Sequence, residues 1–316
     1  MRSGTDGGSA AVTRLIESDV RGLTAHLVEV EGALVRLTGC DLVALGARAC
    51  GVGEGVARDA LAYASVAVVP ITTGEGLIPG FAECVAAICG HLGCHARVTA
   101  ATDVAGFAET LSYGDDLVFA ADDRKFLAFD FARRTVADDD PCTAWAYAAA
   151  LDRAAGVDGA KAVAGAGGMT GAKGVACAAA GESVVDAGGV AGKPVLVIGL
   201  GPVGTAAAVR LVELGADVFV AELDKAHLER VAGELEITPV SLVDGLARCR
   251  LVLDATPSAD LIDADWVRGD GVVSSPGLPP GVTPAAATAL GDRLVHEPLA
   301  LGVAAMAVHG LFAEAP

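Results

Sequence analysis

Up to residue 62 the apolar positions recur at mixed intervals of three and four, through Val12, Leu15, Ile16, Leu23, Leu27, Leu34, Leu37, Leu42 and Leu45. That is the period of helices with one buried stripe, and it predicts a few short helices after an unpatterned opening decapeptide. From residue 65 the pattern changes. Compact apolar runs (SVAVVPI, HARVTA, DLVFAADD, FLAFDF, TVADDD) alternate with amphipathic stretches (GFAECVAAICGHLG, TDVAGFAETLSYG). Such alternation predicts a parallel sheet covered on both faces.

DDPCTAWAYAAALDRAAG then reads as a helix, with an acid as its cap and Pro141 in its first turn. The small-residue stretch that follows, residues 158–190, offers few core anchors; it reads as an insertion or linker, or as a small-residue helical hairpin. After Lys193 the order is strand, turn, helix, strand (PVLVIG, LGPVGTAAAVRLVELG, ADVFVAELD), with further strands at RLVLDAT, GVVSSPG and DRLVHEP. LALGVAAMAVHGLFAE has the length and spacing of a closing helix.

The expected fold class is therefore α/β. A Rossmann-type dinucleotide-binding domain with a closing C-terminal helix fills 191–316, a smaller α/β substrate domain fills 63–157, and residues 1–62 form a helical segment.

Composition narrows the function. Hydrophobic residues at 53% against 20% charged ones supply a large core and exclude a disordered chain. The net charge of −18 and pI near 4.6 repel phosphate backbones and anionic lipid heads, so nucleic-acid and membrane-surface partners are disfavoured. The apolar runs fall short of a bilayer span, and the start, MRSGTDGGSAAVTRLIESDV, lacks a signal-peptide core; a cytoplasmic location is expected. The eight cysteines read as reduced core residues. Cys84, Cys89, His91, Cys94 and His95 combine zinc-ligand types, but they include no CxxC pair and their spacing spreads them around a helix, so no metal site is expected.

Gly199-Leu200-Gly201-Pro202-Val203-Gly204 is a GxGxxG that ends an apolar run and opens a helix. In that context Gly199 permits the tight turn, Gly201 lets backbone approach a pyrophosphate, and Gly204 lets helix and strand pack closely. Glu222 lies 18 positions after Gly204, at the end of the next strand. A carboxylate there suits the adenosine ribose and would repel a 2′-phosphate, which favours NAD over NADP. Thr256 and Pro257, after RLVLDA, are expected along the nicotinamide half; Ser258 reads equally well as a capping residue in a Pro-Ser turn.

Three further stretches lie outside dinucleotide binding: PITTGEGLIPGFAE (70–83), VFAADDRKFLAFD (118–130) and SSPGLPPGVTPAAATALGDRLVHEPLALG (274–302). With the glycine motif they resemble the PylD-type dehydrogenases, which perform the last step of pyrrolysine biosynthesis. The likeness covers most of 65–155 and 193–312. It implies NAD-dependent oxidation of the ornithine side-chain amine of 3-methylornithyl-N6-lysine to a semialdehyde that cyclises.

Hydride leaves a neutral amine far more readily than an ammonium, so a secluded carboxylate is needed to take a proton first. Asp122 and Asp123 follow the strand DLVFAA, and the family pattern points to Asp123 as catalytic, with Asp122 holding substrate. Glu297, after DRLVH, matches a second family carboxylate, which the resemblance makes catalytic alongside Asp123; the two acids would also hold the substrate's ammonium groups by charge-assisted hydrogen bonds. As plain sequence, Asp122 reads equally well as a turn or cap acid, and Glu297 more readily as one. Thr73 sits in a loop able to approach a substrate carboxylate through backbone N–H groups, or in an inert turn. Phe81 either walls the pocket or belongs to the core. His296 is a proton carrier or a structural histidine, and Pro276 to Gly281 is expected to stiffen a loop over the nicotinamide. A homodimer is an allowed assembly.

Two other readings stay open. A dehydrogenase like shikimate or amino-acid dehydrogenases would carry a lysine–aspartate pair in the substrate half, where Lys125 is the available lysine. A non-catalytic NAD-binding module would leave Asp123 and Glu297 with no shared cleft.

Overall fold

Four helices lead into the first sheet: α1 (Glu17–Val20), α2 (Leu23–Thr38), α3 (Leu42–Ala49) and α4 (Glu54–Tyr63). The computed structural model describes residues 17–314 apart from 21, 74–75, 123–124, 166–188 and 268. Asp41 caps α3, its carboxylate accepting from the Ala44 N–H at 2.9 Å. The buried positions of α2 include Leu27 and Leu34, two turns apart on one stripe.

β1 (Ser65–Pro70), α5 (Phe81–His91), β2 (His95–Val98), α6 (Asp103–Tyr113), β3 (Leu117–Ala121), β4 (Phe126–Asp130) and β5 (Thr135–Asp138) build a five-stranded sheet in the order β2-β1-β3-β4-β5. Its first three strands are parallel, while β3, β4 and β5 are antiparallel neighbours. The all-parallel expectation fails here for a geometric reason. Residues 122–125 alone join β3 to β4, and 131–134 join β4 to β5. A parallel return needs a crossover of a dozen or so residues; these links permit only hairpins.

α7 (Asp139–Gly165) follows β5 directly and runs beyond residue 157. It packs against α2 and α3 on one side and the second half of the molecule on the other, with Ala144, Ala146, Ala148, Ala150 and Leu151 buried. Asp152 ties the region together. Its carboxylate accepts from Arg48 of α3 at 2.7 Å and from the Val190 backbone N–H at 2.9 Å.

The second half contains β6 (Pro194–Ile198), α8 (Pro202–Glu213), β7 (Asp217–Ala221), α9 (Lys225–Glu234), β8 (Thr238–Pro239), α10 (Leu242–Arg248), β9 (Leu251–Asp254), β10 (Val272–Ser274), α11 (Pro284–Leu290), β11 (Leu294–Val295) and α12 (Ala300–Phe312). All six strands are parallel, ordered β11-β10-β9-β6-β7-β8. This is the doubly wound Rossmann order, and strand order reverses between β6 and β9, where such sheets open a ligand crevice. The expected α/β class with a dinucleotide-binding fold is thus the observed one.

α12 returns to the first half and packs on α3, α7, β4 and β5. It is apolar all round and nearly all buried. Small residues permit the close crossings: a Cβ on Gly46 would stand 2.9 Å from the Ala304 carbonyl oxygen. Among the described residues no helix is long and apolar enough to cross a membrane, and no group of three or more His, Cys, Asp and Glu is placed to hold a metal ion.

Candidate functional site

The turn from β6 into α8 has the shape its glycines allow. Gly199 adopts φ +84, a left-handed conformation in which an L side chain is strained, and a Cβ there would lie 2.7 Å from the Thr256 methyl. A Cβ on Gly204 would fall 2.0 Å from the Gly199 carbonyl oxygen. Gly201 differs from both: no atom lies within 4 Å of the place a Cβ would occupy. Pro202 starts α8 without an N–H, which leaves those of Val203 and Gly204 in the first turn, where no helical carbonyl is available to them. An open backbone at a helix N-terminus fits a diphosphate.

Glu222 follows β7. Its carboxylate accepts from the Leu200 N–H at 2.7 Å and the Asp224 N–H at 2.9 Å, so the acid is fixed against the glycine turn. His227 reinforces the corner. Its Nε2 lies 2.8 Å from the Leu200 carbonyl, and Arg230 contacts its Nδ1 at 2.5 Å.

Across the crevice the organising group is Asp254, fully buried at the end of β9. Its carboxylate accepts from Thr256 Oγ1 at 2.8 Å, Ser275 Oγ at 2.9 Å and the Gly281 N–H at 2.8 Å. Burial pushes its pKa up, and these donors oppose that shift. The loops after β9 and β10 are thereby pinned together. Packing is so close that a Cβ on Gly277 would meet the Thr256 carbonyl oxygen at 2.0 Å. Pro257 is exposed on the same loop as Thr256.

Between β11 and α12, Glu297 is 4% exposed. Its carboxylate accepts from the N–H groups of Leu299 (3.0 Å), Ala300 (2.5 Å) and Leu301 (2.6 Å), so it caps α12. A negative charge is favourable at a helix N-terminus. Burial raises the Glu297 pKa, while the three N–H donors and His296 work the other way. The Tyr147 hydroxyl of α7 holds the same residue by its backbone, donating to the Glu297 carbonyl and accepting from the Glu297 N–H at 3.1 Å. His296 is turned to the Ser275 carbonyl, 2.9 Å from Nδ1.

The other candidates of the first half are placed as follows. Asp122 accepts from the Lys125 N–H at 3.0 Å. Asp123 lies outside the described residues. Lys125 Nζ pairs with Asp138 at 2.6 Å and Asp140 at 3.2 Å. Phe81 is buried, with its ring centroid 5.2 Å from that of Phe126, and belongs to the core. Thr73 is exposed in the loop beyond β1.

Asp139 was legible in the sequence only as a cap. The structure shows a carboxyl pushed up to about 6, chiefly by burial and further by the charges of Asp140, Asp138 and Glu297; its bond from Thr143 Oγ1, 2.8 Å long, opposes the shift. Glu297 from the second half and Asp139 from the first therefore share one electrostatic environment. The signal available was the run Asp138-Asp139-Asp140, which is crowded with like charge.

Residues 19–137 match the family described as pyrrolysine biosynthesis protein PylD, N-terminal domain. A pyrrolysine synthase from Methanosarcina acetivorans is 29% identical over 296 residues, covering 92% of this chain and 97% of the relative. One from Methanosarcina barkeri is 27% identical over 292 residues, covering 92% and 95%. Among solved structures, quinate dehydrogenase from Corynebacterium glutamicum in complex with NAD matches 79% of this chain and 94% of its own, at TM-score 0.44 and 14% identity. The chain thus carries a match to the PylD N-terminal domain at residues 19–137 and is similar to pyrrolysine synthases over 92% of its length.

Proposed function

We propose that this chain is an NAD-dependent amine dehydrogenase that oxidises the ornithine side-chain amine of 3-methylornithyl-N6-lysine, the step that closes the pyrroline ring of pyrrolysine. The observation that carries the reading is the open backbone at Gly201, set at the switch point of a Rossmann sheet in a chain similar over 92% of its length to pyrrolysine synthases. The turn formed by Gly199, Gly201, Pro202, Val203 and Gly204 would hold the diphosphate. Glu222 would take the adenosine ribose, its charge excluding a 2′-phosphate, and Thr256 and Pro257 would line the nicotinamide half.

Bound NAD supplies the hydride acceptor. This chain's own task is to hold the substrate and remove its proton. Asp123 takes the ammonium proton, which frees the nitrogen lone pair to stabilise the carbon as hydride departs. Water then adds to the resulting iminium carbon and ammonia leaves, giving the semialdehyde; the substrate's α-amine condenses on that carbon and returns the water. The net loss from the substrate is two hydrogens and one ammonia. Glu297, fixed by Tyr147 and by the first turn of α12, provides with Asp139 a negative field for the cationic substrate. Asp122 and Thr73 contact the polar ends of the substrate, and Phe81 backs its methylated portion.

Purified protein given NAD and the lysine–methylornithine conjugate is expected to form NADH. Asp123→Asn is expected to depress kcat far more than NAD affinity; an equal loss of both would assign Asp123 a structural part. A second reading, an alcohol dehydrogenase of the shikimate type, draws on the Lys125 ammonium held at 2.6 Å from Asp138, a lysine–aspartate pair in the substrate half. It predicts NADH from a hydroxy acid and none from the conjugate.

A further inference from the structure

The loop after β1 lies at the carboxyl end of the first sheet, the end where α/β sheets collect ligands. One of its residues is held in an unusual way. Asp103, the first residue of α6, accepts from the Thr72 backbone N–H at 2.8 Å and from the Thr72 hydroxyl at 2.6 Å, and a third donor, the Thr102 hydroxyl, reaches it at 2.9 Å. These hydrogen bonds keep its carboxyl below the ordinary aspartate range, so near neutral pH it is charged and its charge is engaged by three donors.

Asp103 reaches that place at a conformational cost. Its φ is +52, in the left-handed region where aspartate is tolerated but not favoured. α6 is pressed onto β1 by Gly106, at which a Cβ would stand 2.5 Å from a Val69 methyl and 2.8 Å from the Ala101 carbonyl oxygen. The close approach brings the start of α6 over the end of β1. Thr72 is the residue clamped, and its neighbour Thr73 is left exposed.

We propose that Asp103 is a positioning residue: by clamping the backbone and hydroxyl of Thr72 it presents Thr73 to the amino-acid end of the substrate. The inference rests on the amine-dehydrogenase reading above and deepens it. A backbone held at Thr72 presents its neighbour without first being ordered, so the clamp acts on affinity and leaves the chemical step alone.

Steady-state kinetics on the full chain, with NAD and the lysine–methylornithine conjugate, test this through three variants. Asp103→Ala is expected to raise KM for the conjugate about tenfold, with kcat and NAD affinity within about twofold of the parent. Asp103→Asn, which tolerates the same φ and keeps one acceptor, should recover much of that loss. Asp103→Gly relieves the backbone strain but has no acceptor, so it should fold at least as well as Asp103→Ala and share its raised KM. An unchanged KM in both Asp103→Ala and Asp103→Gly, with the parent active, overturns the positioning role while leaving the function standing. A parent that forms no NADH from the conjugate overturns both.

Discussion

The two candidate sites of the molecule, the glycine turn and the region around Glu297 and Thr73, are built in opposite ways. The glycine turn is specified within a few residues: Gly199, Gly201 and Gly204 act through absent side chains, Gly199 and Gly204 at close approaches to each other and to Ala255 and Thr256, Gly201 at an open backbone. The proposed substrate end is assembled from distant pieces. Tyr147 grips Glu297 across 150 positions, Asp103 grips Thr72 across 31, and Glu297 shares an electrostatic environment with Asp139. A local device can be tuned by one substitution at a time. A distributed one couples binding to the stability of the whole fold.

Substitutions along the turn sharpen this contrast most. Gly204→Val is expected to have the largest effect, loss of soluble folded protein, because even its Cβ would overlap the Gly199 carbonyl. Circular dichroism on the purified variant checks this. Glu297→Ala, at the distributed end, should destabilise the chain by about 2–3 kcal/mol in denaturant unfolding, since three N–H groups of α12 lose their acceptor in a buried place. Glu297→Gln retains an oxygen acceptor and should lose less.

Gly201→Ala tests the opposite extreme. Its φ of −60 suits alanine and its surroundings are open, so Tm should hold while NAD affinity, measured by calorimetry, falls by about tenfold or more. A matched fall in Tm would show that Gly201 serves the fold and not a ligand.

The smallest expected effect is a pH dependence. Asp139 titrates near 6 in the folded chain against an ordinary 3.8, so the folded state binds its proton more tightly than the unfolded state does. Its contribution to stability is therefore unfavourable above about pH 6 and fades as pH falls through 6 toward 3.8. Asp139→Asn should raise Tm near neutral pH, with the gain shrinking to nothing at the acid end of that window. A gain of equal size at both ends would contradict the assignment.

The same contrast explains what could be read from sequence. The Rossmann half was legible because period, glycine spacing and strand order are local or follow from chain order. The direction of β4 and β5 was not carried by their apolar composition; it lay in the four-residue links at 122–125 and 131–134. Glu297 as the cap of α12 had a signal, an acid just ahead of an apolar helix. Nothing in the sequence tied Tyr147 to Glu297, Asp254 to the Ser275 and Gly281 loop, or Asp103 to Thr72, since these contacts join separate elements that meet only once the chain has folded.

The measurement that bears most directly on the function is the ratio of ammonia to NADH released by the purified chain from NAD and the lysine–methylornithine conjugate. One ammonia for each NADH, with a product lighter by two hydrogens and one ammonia, is the predicted result. NADH without ammonia, or no NADH from a chain with NAD demonstrably bound, would contradict it.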